Sequence, residues 1–260
     1  MRQALYQVDA FTREVFRGNP AAVCPLERWL PEATMQSIAA ENNLSETAFF
    51  VREGDGYHLR WFTPAVEVDL CGHATLASAW VLFNKLGHAD DSVTFHTLSG
   101  KLEVVRQGDL LVMDFPARPA NPVEPCAGLL EALGGTPEAV LAARDHLVVY
   151  ATAAEVRELK PDMARLQGAD SYAAIATAPG EGEYDCVSRF FAPAQGVPED
   201  PVTGSAHCTI VPYWAERLGK STIRAYQASS RGGELICEVQ GDRVAIAGNC
   251  SFYMQGTIEI

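Results

Sequence analysis

Three short stretches of this sequence place residues that can move protons beside backbone that can hold an anion. Glu46 sits in Asn43-Leu44-Ser45-Glu46-Thr47-Ala48-Phe49-Phe50, at the edge of an apolar run. A carboxyl group partly withdrawn from water there can serve as general acid as well as general base. The other two stretches are Cys71-Gly72-His73-Ala74-Thr75 and Thr203-Gly204-Ser205-Ala206-His207, each at the predicted start of a helix. Glycine admits a ligand close to the backbone, and the unpaired N–H groups of a helix start favour an anion. The pattern suits a small carboxylate. The same glycines can equally do no more than turn a strand into a helix, and spacing alone does not separate the two readings.

His73 titrates near neutrality and can donate to a substrate or accept from it. Asp200, in Pro198-Glu199-Asp200-Pro201-Val202-Thr203-Gly204, precedes the second helix by a few residues. Its carboxylate can face a ligand or simply cap the turn. Cys71 is either a reactive thiol at a helix start or a small buried hydrophobe. The six histidines (His58, His73, His88, His96, His146, His207) form neither H-x-x-x-H nor H-E-x-x-H, so no metal is expected. There is no G-x-x-x-x-G-K-[ST], no strand-anchored G-x-G-x-x-G and no G-x-S-x-G, which gives no support to a nucleotide cofactor or a serine nucleophile. No cofactor is expected.

The elements that must position these residues come in two copies. Phe62-Thr63-Pro64-Ala65 leads through Glu67, Asp69, Gly72 and Ala74 into an Ala-rich helix closing at Leu86-Gly87. Phe191-Ala192-Pro193-Ala194 leads through Glu199, Asp200, Gly204 and Ala206 into a helix closing at Leu218-Gly219. A β-like run ending in Gln-Gly-Asp follows each. The offsets are nearly constant: 204 − 72 = 132, 218 − 86 = 132 and 240 − 107 = 133. Such self-similarity predicts two halves of similar fold. In this repeat Cys71 aligns with Thr203.

Each half reads as short strands around one long helix. LYQVDAF, TAFFV, YHLRWF, SVTFHT, LEVVRQ and LLVMDF are alternating, β-branched or aromatic. The stretch 73–86 carries Leu76, Ala79, Trp80, Phe83 and Leu86 on one face, yet Ala74, Ala77, Val81 and Leu82 leave little polar surface elsewhere. A helix apolar nearly all round is buried, so the strands must wrap it. SAHCTIVPYWAERL reads the same way, with Pro212 predicting a kink or a break. A further amphipathic helix over 31–43 starts at Pro31. Pro-rich 114–126 is the best linker. The predicted halves are 1–116 and 117–260, with a C-terminal strand near 250–260 packing back on the first. If a pseudo-two-fold axis relates them, both helix starts can face one cleft.

Composition narrows the classes of function. Across 260 residues there are 20 Lys+Arg against 33 Asp+Glu, a formal net charge of −13. An acidic chain without a basic block is repelled by nucleic acid and by anionic membranes, so neither is an expected partner. With 48% hydrophobic residues it can build a large core. The N-terminus has no signal-peptide run, and no stretch reaches the length of a membrane span, so a cytoplasmic location is expected. Seven cysteines, an odd number with no C-x-x-C, argue against a disulfide framework and a zinc ribbon.

Taken in order, the blocks Val8-Asp9-Ala10-Phe11-Thr12, Gly18-Asn19-Pro20-Ala21-Ala22-Val23, Asn43-Leu44-Ser45-Glu46-Thr47-Ala48-Phe49, Phe62-Thr63-Pro64, Glu67 to Thr75 and Pro198 to Ala206 resemble the PhzF-like family of phenazine-biosynthesis isomerases, a branch of the diaminopimelate-epimerase fold. The resemblance implies an α/β (α+β) fold of two pseudo-symmetric halves, each a β-barrel-like sheet wrapped around a central helix, and a homodimer. It implies a cofactor-independent isomerase in which Glu46 moves a proton on a small carboxylated substrate, cyclic or amino-acid-like. His73 and Asp200 would assist catalysis, while Asn19, Ser45, Gly72, Gly204 and Ser205 would bind substrate. Epimerases of this fold use two opposed thiols, one at each helix start. Here Cys71 would face a hydroxyl, Thr203, a poor base at an unperturbed pKa, which counts against a two-cysteine cycle. Two alternatives remain: a racemase using Cys71 with a different opposing acid, and a non-catalytic binding protein of the same fold.

Overall fold

The computed structural model describes residues 1–260. They fall into two compact units, residues 1–114 with 247–260 and residues 115–246. No helix is long and apolar enough to cross a membrane.

The first unit opens with β1 (Arg2–Ala10) and β2 (Asn19–Leu26), an antiparallel pair, followed by α1 (Glu32–Asn42). Next come β3 (Glu46–Glu53), β4 (Gly56–Phe62), β5 (Glu67–Val68), α2 (Gly72–Lys85), β6 (Ser92–Thr97), β7 (Gly100–Gln107) and β8 (Leu110–Pro116). β2 and β3 are parallel, with α1 making the crossover between them, and β3 and β4 are antiparallel. The connections from β4 to β6 and on to β8 repeat this scheme: a parallel pair across α2, then two hairpins. The buried patterns in β2 and β3 are nearly continuous, as parallel strands covered on both faces require. Met35, Ile38 and Ala39 of α1 cover one face against Phe49, Phe62 and Cys24.

α2 is buried along most of its length, from His73 to Ala79 and again over Val81 to Phe83, and it packs against β1, β2, β3 and β7. Its apolar sequence is therefore explained by strands on several sides. This is also where the Ala-rich composition acts: Ala74, Ala77 and Ala79 have no exposed surface, and small side chains let strands approach the helix closely.

The second unit runs β9 (Asn121–Pro122), α3 (Leu129–Leu133), β10 (Ala139–Ala142), β11 (His146–Val149), α4 (Ala153–Glu158), α5 (Met163–Gly168), β12 (Ala174–Pro179), β13 (Cys186–Ala192), β14 (Val197–Asp200), α6 (Gly204–Leu218), β15 (Thr222–Gln227), β16 (Gly233–Gln240) and β17 (Arg243–Gly248). The final strand, β18 (Cys250–Glu259), belongs to the first unit and pairs antiparallel with β1. β11 and β12 are parallel, as are β13 and β15, while β12–β13 and β15–β16 are antiparallel. α6 runs unbroken through Pro212 and buries Ala206 to Val211 and Trp214. The three short helices α3, α4 and α5 are absent from the strand-dominated reading of the sequence. At five or six residues each they are too short to display a helical period, and they exist because Leu129, Leu133, Val156 and Leu166 bury against Tyr150 and Phe191.

α2 and α6 start at Gly72 and Gly204, and their N-cap residues are Cys71 and Thr203, equivalent positions of the internal repeat.

Candidate active site

In the first unit three separate elements bring Glu46, His73, Asn19 and Cys71 together. The chain leaves α1 through Asn43, whose left-handed conformation (φ 50°, ψ 36°) turns it sharply into β3. Asparagine tolerates that region better than most residues. Asn42 steadies the turn by donating from Nδ2 to Thr47 Oγ1 at 3.0 Å. Ser45 lies half-buried in this turn, and Glu46 is the first residue of β3, its side chain only 14% exposed.

Glu46 pairs with Ala21 in the parallel register, and Asn19 lies two residues before Ala21 on β2. Residues two apart on a strand share a face, so Asn19 and Glu46 are presented on the side toward α2. Asn19 is fully buried and is delivered by a tight turn at Gly18 (φ +63°). A Cβ on that glycine would stand 2.1 Å from the Ala10 carbonyl oxygen, so only glycine fits.

His73, the second residue of α2, is 5% exposed. Its Nε2 lies 3.1 Å from Glu46 Oε2, and its Nδ1 lies 3.2 Å from Asn19 Nδ2 and 3.5 Å from Cys71 Sγ. An amide NH2 can only donate. Nδ1 is therefore an acceptor, and the ring proton sits on Nε2, the nitrogen close to the Glu46 carboxyl. The contact sets an ionisable ring beside the largely buried Glu46 carboxyl.

Glu46, Cys71 and His73 each also offer a metal-ligand atom, all within 4.8 Å of one another. Histidine spacing could not reveal this donor set, because Glu46 comes from a distant strand.

In the second unit Asp200 ends β14, and its Oδ2 accepts from Thr203 Oγ1 at 2.5 Å. Gly204 and Ser205 open α6, with Gly204 buried. Two features here were invisible in the sequence. Gln227, fully buried at the end of β15, accepts from Thr203 N–H at 2.8 Å and donates from Nε2 to the Asp200 carbonyl (2.8 Å) and to Thr203 Oγ1 (3.1 Å). It ties strand end and helix start into one rigid unit. Arg144 pairs with the buried Asp145 (3.0 and 3.1 Å), lies 4.9 Å over the Tyr172 ring and reaches Ser205 Oγ at 3.4 Å. A guanidinium beside the start of α6 strengthens the preference of that start for an anion. No spacing signal marks these residues, because the contacts by which Gln227 and Arg144 reach the start of α6 span 24 to 61 positions along the chain.

His207, one turn into α6, directs Nδ1 at the Thr203 carbonyl at 2.8 Å. Complete burial pushes its pKa down to about 4. It is a neutral core histidine.

The profile of the phenazine biosynthesis-like proteins matches residues 8–256. The chain belongs to this PhzC-PhzF family. An uncharacterized isomerase of Pseudomonas aeruginosa is 53% identical over 261 residues, with all of both chains covered. A PhzF-family protein of Enterococcus faecalis has a crystal structure that superposes with a TM-score of 0.97 at 46% identity, again with both chains fully covered. More remotely, a hydroxyproline epimerase from Agrobacterium vitis shares the fold alone, with a TM-score of 0.61 at 10% identity over 99% of this chain and 92% of that one. The fold of this PhzF-family protein is thus the mixed α/β, epimerase-like one.

Proposed function

We propose that this PhzF-family protein is a cofactor-independent isomerase that moves a proton on carbon of a small carboxylated substrate, cyclic or amino-acid-like, with Glu46 as the general acid and base. The observation that carries this reading is the Glu46–His73 contact: a carboxyl at the mouth of β3, largely withdrawn from water, with an imidazole nitrogen 3.1 Å away. A carboxylate so placed can take a proton from carbon, and the neighbouring N–H stabilises the charge whenever it is returned. Asn19 fixes the ring tautomer. The name of the P. aeruginosa relative, an isomerase, agrees with this class. A two-thiol racemase finds less support, because the residue equivalent to Cys71 is Thr203, whose hydroxyl is committed to Asp200.

The test is hydrogen exchange at carbon. The protein is incubated in D2O with a panel of cyclic and amino-acid-like carboxylates, and deuterium incorporation is followed by NMR and mass spectrometry. Glu46→Gln keeps the shape and removes the base, so exchange on any active compound should fall by about 10²-fold or more. Exchange at the wild-type rate in Glu46→Gln would reject the assignment. Loss in Cys71→Ser with full activity in Glu46→Gln would favour the racemase.

A further inference from the structure

Glu46, Cys71 and His73 put a carboxylate, a thiol and an imidazole into one largely buried corner of the first unit, with one donor atom from each inside a span of 4.8 Å. It is the one such trio in the chain. Glu46 Oε2 is buried, and no hydrogen bond satisfies it. A buried carboxylate oxygen in that state is unfavourable until something binds it. His73 Nε2 stands 3.1 Å away, yet the two atoms form no hydrogen bond with one another. Around a tetrahedral Zn2+ a nitrogen and an oxygen ligand stand about 3.4 Å apart, and a nitrogen and a sulfur about 3.5 Å. The observed approach is therefore close to that of two ligands on one ion. Cys71 Sγ, the third donor, lies beside the same ring and makes no cap bond to α2, so turning it toward an ion gives up no helix contact. Nδ1 faces the Asn19 amide at 3.2 Å, which leaves Nε2, on the Glu46 side, as the ligand nitrogen. Coordination there moves the ring proton from Nε2 to Nδ1, and rotation of the Asn19 amide meets it with Oδ1 in place of Nδ2. A ligating histidine usually donates its other N–H to a carbonyl in this way.

We propose that Glu46, Cys71 and His73 form a binding site for a divalent ion of the Zn2+ class, and that the ion is an inhibitor of this protein rather than its cofactor. Sulfur and imidazole donors with a single carboxylate suit Zn2+ and its borderline-soft neighbours, whereas Mg2+ and Ca2+ take oxygen. As the ion binds, the Cys71 S–H bond breaks, its proton passes to water and a sulfur–metal bond forms. Nothing is oxidised or reduced. Thiolate and carboxylate together balance the two positive charges, so no net charge is buried. The ion takes the Glu46 oxygen that faces His73, and a carboxylate held by a metal does not exchange protons with carbon. This inhibitory consequence rests on the reading of Glu46 as the acid and base, whereas the site itself does not.

Co2+ is the probe, because it takes Zn2+ sites and reports its ligands by absorption. Titrated into the chelator-treated protein, it should give a thiolate-to-cobalt charge-transfer band in the near ultraviolet with the visible bands of a four-coordinate ion. The charge-transfer band should vanish in Cys71→Ser and persist in Cys126→Ser, which removes a partly exposed thiol elsewhere. Glu46→Gln and His73→Gln should each weaken Co2+ binding by at least the ~10–100-fold that losing a supporting group costs a metal site. Absence of the band in the wild type, its survival in Cys71→Ser, or an affinity unchanged in both Glu46→Gln and His73→Gln overturns the site; the last comparison stands even if Cys71→Ser fails to fold. Zn2+ is then added in the D2O exchange assay, where one equivalent should stop exchange on an active compound and a chelator should restore it. Full exchange with the site saturated overturns the inhibition. The Co2+ readout needs no substrate, so its failure alongside lost exchange in Glu46→Gln removes the site and leaves the role of Glu46 intact. A Co2+ site with normal exchange in Glu46→Gln removes that role and leaves the site.

Discussion

His207 makes the stability of the second unit depend on pH in a window that can be calculated. The ring is fully buried on α6, Nδ1 is bonded to the Thr203 carbonyl, and Nε2 has no partner. Burial outweighs the single bond favouring the charged ring and brings the pKa down to about 4. In the unfolded chain the same side chain titrates near 6.5. Below pH 6.5 the unfolded chain therefore takes up a proton that the native protein refuses until about pH 4, so stability is lost as pH falls through that window and regained as it rises. At about 1.36 kcal/mol per pH unit, the drop from pH 6.5 to 4.5 removes ~2 kcal/mol through this group alone. His207→Asn removes the titration and keeps a donor near the Nδ1 position, at an expected cost of ~1–2 kcal/mol at pH 7.5 for the space it leaves. Urea unfolding followed by the fluorescence of the buried Trp214 gives the free energy at each pH. The gap between wild type and His207→Asn should close by ~2 kcal/mol between pH 6.5 and 4.5. A gap constant across that range would show that the ring is not held neutral by burial, and the reasoning would fail.

Two further substitutions test the supports of the site. Gly18→Ala introduces a methyl group 2.1 Å from a backbone oxygen at φ +63°, whereas Gly54→Ala has a similar φ of +59° with nothing within 4 Å. Thermal melts should show Gly54→Ala costing ~1 kcal/mol for the left-handed backbone alone and Gly18→Ala costing at least twice that; equal losses would mean that the turn before Asn19 is not sterically fixed. Gln227→Leu leaves the Thr203 N–H buried without its 2.8 Å acceptor and should destabilise the protein by ~1–3 kcal/mol, visible in urea unfolding. A change within ~0.5 kcal/mol, the ordinary range for an exposed surface site, would mean that the strand end and the α6 start are not held by this side chain.

Much of this protein is legible along the chain. The buried character of α2 and α6 follows from apolar residues on every side, and their starts at Gly72 and Gly204 follow from the repeat, because both signals are carried by near neighbours in sequence. The same holds for Glu46, marked by its place between a helix end and an apolar strand, and for the family, whose motifs are contiguous blocks. Tertiary structure alone decided what those groups touch. That His73 offers one nitrogen to Glu46 and the other to Asn19 and Cys71 depends on the β2–β3 register and the turn of α2. That Gln227 and the Arg144–Asp145 pair brace the start of α6 depends on strands brought beside it from far along the chain. The pairing of β18 with β1 joins residues about as far apart as this sequence allows. Hydrophobic period and turn chemistry act over a few residues and are written locally, whereas a hydrogen bond at 3 Å is set by how whole elements pack, and no local pattern encodes it.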